Sequence, residues 1–74
     1  MSLQECTRAL VNDGAARINA GEFSQSDLES AAAVAKQRHA RLIICNLKGR
    51  SSEDIGRIAE AGGRQVNFAD IHLI

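Results

Sequence analysis

Four side chains in this sequence could ligate a soft metal or serve as nucleophile and base: Cys6, His39, Cys45 and His72. No two of them stand at the close spacing of a zinc finger, so a structural zinc site is not expected. Cys45 paired with His39 or His72 would have the elements of a thiol nucleophile with its base. Cys45, however, closes the apolar run Leu42-Ile43-Ile44-Cys45, where a thiol behaves as an inert small hydrophobe. Asp70 and His72 would share one face of a strand, the arrangement in which an acid orients an imidazole. With no nucleophile identified beside them, they read as a surface polar pair. The sequence therefore predicts neither catalytic residues nor a cofactor, and the chain is read as a non-enzyme.

Two segments have chemistry suited to anions. Lys48-Gly49-Arg50-Ser51-Ser52 has the composition of a phosphate loop, but it lacks the first spaced glycine and the Gly-Lys-Ser/Thr order. What remains is a glycine loop between a strand and a helix N-terminus, where free N–H groups face outward. Gly49, Ser51 and Ser52 are the candidate anion-binding residues. Lys36, Arg38, His39 and Arg41 form a basic cluster, with Lys48, Arg50, Arg57 and Arg64 further along. Such a cluster binds phosphate, or it forms a solvated helix end that compensates the helix dipole. Formal charge is zero over 74 residues and the only aromatics are Phe23 and Phe68, so base-stacking platforms are not expected and nucleic acid is disfavoured.

These residues must be positioned by helices and short strands. The second of three similar stretches is the clearest. Ser24 is placed to cap a helix, with Asp27 three residues later and Phe23 able to staple onto Leu28. Leu28, Ala31, Ala32 and Ala35 follow at one-face spacing. The helix should fade near Arg38-His39, and Leu42 to Cys45 reads as a strand buried on both faces. The third stretch repeats this 27 positions on: Ser51 for Ser24, Asp54 for Asp27, Ile55, Ile58 and Ala59 on the stripe, and Gly62-Gly63 as the stop. Gln65-Val66-Asn67-Phe68 alternates polar and apolar, as an edge strand with one wet face does. Ile71-His72-Leu73-Ile74 extends that strand or forms another. In the first stretch, Ser2 and Glu5 make a capping box, and Leu3, Cys6 and Leu10 make a stripe. There Gly14 either stops the helix before a strand at Ala15 to Asn19, or lies inside a helix that runs on to Ile18.

Asparagine recurs at the end of each expected strand, at Asn19, Asn46 and Asn67. A polar row of this kind binds a ligand or, more commonly, satisfies backbone groups where strands turn into loops.

The stretch Cys45-Asn46-Leu47, followed by Ser51, Asp54-Ile55 and Ile58-Ala59, is similar to the strand-to-helix half of the longer leucine-rich repeats. The similarity extends over about two units, and the leucine ladder that family places before its asparagine is missing. The resemblance implies protein binding on the strand face.

The expected fold is a single α/β domain over residues 1–74, with helix–strand units at about 2–19, 24–46 and 51–67. A short parallel sheet of two to three strands would make it either solenoid-like or a small two-layer domain. Charge is polarised, −3 over residues 1–35 and +4 over residues 36–64. The two cysteines are no disulfide framework, and no leader, membrane span or lipidation motif is evident, so a cytoplasmic location is expected. These readings favour a protein-interaction module with a protein partner, able to form a homodimer through the C-terminal edge at Gln65–Ile74. The second reading is a small anion- or nucleotide-binding regulatory domain built on Gly49–Ser52.

Overall fold

Helix boundaries follow from local capping. In a computed structural model that describes residues 2–69, the Ser2 hydroxyl accepts the Glu5 N–H and the Glu5 carboxylate accepts the Ser2 N–H. This reciprocal pair starts α1, Leu3–Asp13. Gly14 ends it at φ 76°, a left-handed conformation that glycine adopts without steric cost. The helix therefore does not run on, and Ala15–Asn19 is free to become strand β1.

Ser24 and Ser51 start the next two helices in the same manner, their hydroxyls accepting from Asp27 N–H and Asp54 N–H. These are α2, Gln25–Arg38, and α3, Ser52–Gly62. His39 closes α2 in the left-handed region at φ 55°, and Gly63 closes α3 at φ 56°. Strand β2 is Arg41–Cys45 and strand β3 is Val66–Phe68. Single 3₁₀ turns at Ala20–Glu22 and Gly63–Gln65 follow β1 and precede β3.

The three strands form a parallel sheet in the order β1-β2-β3. Ala15 stands opposite Arg41 and Asn19 opposite Cys45 across the first pair. Leu42 stands opposite Val66 and Ile44 opposite Phe68 across the second. Among the described residues both outer strands are edges, in keeping with the alternation read at residues 65–68.

Alternation along the strands divides the sheet into two unlike faces. Ala16, Ile18, Leu42, Ile44 and Val66 are buried in one apolar cluster with Cys6, Leu10, Leu28, Ala31, Ala32, Ala35 and Ile58 from the helices. Helices thus cover one face, giving a small two-layer α/β domain. The expected stripe of α2 is wholly inside, and its three alanines let the helix lie close to the sheet and to both neighbouring helices. Phe23 and Leu28, the expected staple, are both buried in that cluster. The expectation that Leu42 to Cys45 is covered on both faces is corrected. Leu42 and Ile44 are fully buried, but Arg41 is exposed and Ile43 and Cys45 are only half-buried. The residues that would cover the second face are not present among the described helices.

Gly62 is required by packing. A Cβ there would overlap Val66 Cγ2 and lie 3.1 Å from Ala32 Cβ. Its hydrogen lets α3 close against both α2 and β3.

Candidate functional site

The uncovered side of the sheet carries Ala15, Arg17 and Asn19 from β1, Arg41, Ile43 and Cys45 from β2, and Asn67 from β3. Arg17, Ile43 and Asn67 form one row across the three strands. Arg41 lies one row earlier, opposite Ala15. The Arg17 and Arg41 backbones are therefore diagonal neighbours about 8 Å apart, by standard strand spacing and rise. Arg64, in the turn before β3, joins Arg41, Ile43, Gln65 and Asn67 around a shallow depression. The site has an apolar floor at Ile43 and a rim of guanidinium and amide groups. Cys45 is half-buried on this same face, and its Sγ contacts the Ile18 carbonyl oxygen at 3.3 Å. Cys6 is the fully buried thiol, and burial pushes its pKa up.

The basic residues do not act as one patch. Lys36 lines a groove on the helical side with Glu29, Arg57, Glu60 and Ala61. Arg38 occupies the last turn of α2, and His39 is its left-handed cap, its N–H directed at the Ala35 and Lys36 carbonyls. Arg41 opens β2 and belongs to the sheet face.

Arg50, counted with the basic residues in the sequence, is a structural cross-tie. Its Nη1 donates to Gln25 Oε1 at 3.0 Å, and its Nη2 donates to the carbonyls of Ala20 at 3.0 Å and Phe23 at 2.7 Å. Gln25 in turn donates to Glu29 Oε2 and to the Asp54 carbonyl. One guanidinium thereby ties the turn after β1 to the starts of α2 and α3. Sequence reasoning missed this role. No local signal was available: the turn at 20–23 already gives its Ala20 carbonyl the Phe23 N–H, and the arginine reaches the same carbonyl from 30 positions away.

At the glycine loop, Gly49 has φ 91° and the Arg50 N–H closes a turn onto the Leu47 carbonyl. Ser51 accepts the Asp54 N–H as helix cap, while Ser52 is exposed at the first position of α3. Glu53 and Asp54 both lie in the first turn. Two carboxylates there oppose a bound anion through like charge.

The asparagines diverge. Asn19 Oδ1 accepts from Gly21 N–H at 2.8 Å and from Asn46 Nδ2 at 2.9 Å. Asn67 stands opposite Ile43, within its strand, so it is not the counterpart of Asn46. Two asparagines do turn chemistry, and the third belongs to the open face.

Among the described residues, no three His, Cys, Asp or Glu side chains converge as a metal site would require. Asp70, His72 and the run Ile71–Ile74 lie outside the described residues. No described helix is long and apolar enough to cross a membrane.

Fold and site together define an α/β domain with a one-sided parallel sheet and an arginine-rimmed open face. Comparison of the chain with protein-family models, curated proteins and solved structures finds no match.

Proposed function

We propose that this chain is a non-enzymatic protein-interaction module that docks its partner on the open face of the sheet. One observation carries the reading: half-buried Ile43 lies centrally on a sheet face that no described helix covers, framed by exposed Arg17, Arg41 and Asn67. A partly apolar centre with a polar, arginine-rich rim is the composition of a protein interface. The repeated helix–strand phrase and its resemblance to leucine-rich repeats support the same surface, since stacked units of that kind use their strand face for binding.

The test is site-specific photo-crosslinking in cells. A photoreactive residue at position 43 should capture a discrete protein, and the same residue at Arg57, on the helical side, should not. Equal capture from both positions, or from neither, overturns the reading.

Self-association is the second reading. Among the described residues strand β3 pairs only with β2, and an outer edge of this kind is a template for a second copy. Sedimentation showing only monomer at high protein concentration overturns it.

A further inference from the structure

We propose that the open face receives an acidic, extended segment of the partner protein, its carboxylates on Arg41 and Arg64 and an apolar side chain over Ile43. The inference rests on the docking reading above and names the chemistry of what docks.

Charge complementarity carries it. Arg17, Arg41 and Arg64 are all exposed, and none has a side-chain hydrogen bond or ion pair among the described residues. The strand positions that form this face carry no carboxylate, so its arginines have no acid beside them there. Arg50 shows the contrast within the same chain, because its guanidinium is consumed by the fold. Gln65 and Asn67 add amide donors to the depression that Arg41 and Arg64 flank. Guanidinium groups bind carboxylates through paired N–H donors, which gives orientation as well as attraction. Ile43, between them, gains from covering by an apolar side chain. A peptide supplies both groups on one strand. Nucleic acid would want an exposed ring for stacking. Phe23 is buried, and Phe68 packs against the core on the opposite side of the sheet, so the face has none.

The experiment uses the whole chain and a fluorescein-labelled hexaglutamate peptide, read by anisotropy, with amide shifts of the ¹⁵N-labelled chain locating the contact. The expected result is binding at low salt that weakens as salt rises, with shifts at Arg41, Ile43 and Asn67. Arg41→Glu combined with Arg64→Glu should weaken it about tenfold or more, the scale set by charge-assisted pairs. Arg57→Glu, on the helical side, should leave it unchanged. If the double reversal fails to fold by circular dichroism, Arg41→Gln with Arg64→Gln takes its place and should weaken binding in the same direction. Unchanged binding by the folded double variant overturns the inference. So does a single-stranded RNA of equal charge, or inorganic phosphate, displacing the peptide more effectively than unlabelled hexaglutamate does. A dimer that the two substitutions dissolve would assign the face to a second copy instead and also overturn it. Failure here with specific crosslinking from position 43 leaves the docking reading standing. Peptide binding without crosslinking overturns the docking reading, and this inference, which rests on it, falls with it.

Discussion

Asn46 donates a side-chain N–H to the side-chain oxygen of Asn19, 2.9 Å away, across the ends of two neighbouring strands. The same oxygen accepts the Gly21 N–H at 2.8 Å, capping the 3₁₀ turn that follows β1. Asn19→Ala removes both bonds and should cost about 1 kcal/mol, the usual scale for a lost cap. Asn19→Asp keeps the acceptor and should cost less. Urea midpoints of the two variants give the comparison. A Cβ at Gly21 would lie 2.8 Å from Asn46 Nδ2 and 3.1 Å from Asn19 Oδ1, so Gly21→Ala should lower stability by the same route.

Gly62→Ala should destabilise strongly, on the order of 1–3 kcal/mol, as overpacked cores do. The added methyl meets Val66 Cγ2. Val66→Ala removes that atom, so the double variant should be more stable than the sum of the two single losses predicts. Strict additivity in a thermal-unfolding double-mutant cycle would refute the contact.

Arg50→Ala should cost about 2 kcal/mol, because it strips three charge-assisted bonds from partly buried acceptors. Arg50→Lys should recover little, since a single ammonium lacks the planar fork that reaches Gln25 and two carbonyls together. A lysine variant with wild-type stability in urea would show that charge alone suffices.

The Ser2 N–H and hydroxyl hold the Glu5 carboxyl below its ordinary pKa. A depressed folded-state pKa contributes stability that is present above the unfolded value and is lost as pH falls through the folded one. Helix α1 should therefore weaken below the ordinary carboxylate range. Glu5→Gln should flatten that part of the stability–pH curve, measured by urea unfolding at successive pH values.

Thiol labelling of the native chain should distinguish its cysteines. Cys45 is half-buried on the open face and Cys6 is fully enclosed, with its pKa raised by burial. Mass spectrometry should find Cys45 modified first. Simultaneous modification would indicate global opening before reaction.

Local rules carried most of the architecture. Ser2, Ser24 and Ser51 announced helix starts because capping depends on a hydroxyl three residues ahead of a backbone N–H, a relation visible in sequence. The Leu28–Ala35 stripe announced a buried face by its period alone. Gly14 left β1 undecided because the alanines after it favour a helix, and only pairing with β2 supplies the competing backbone bonds. The open face was hidden by Leu42-Ile43-Ile44-Cys45. A continuous apolar run carries no alternation, so it cannot report that half its side chains lack a covering layer. The flanking Arg17 between Ala16 and Ile18 did carry that signal. Arg50 was illegible because a guanidinium that ties three segments together has the same local sequence as one in water.

The strands lie in the sheet in the order in which they occur along the chain. Ala15 pairs with Arg41, 26 positions on, and Leu42 with Val66, 24 positions on. Neither pairing waits for distant parts of the chain to meet. On a ribosome, the β1–α2–β2 portion has its strand partner and covering helix in hand before α3 and β3 emerge. The last strand then adds to an edge already formed. Assembly can run in the direction of synthesis, with no step that must undo an earlier pairing, and each closure spans a loop of similar, moderate length.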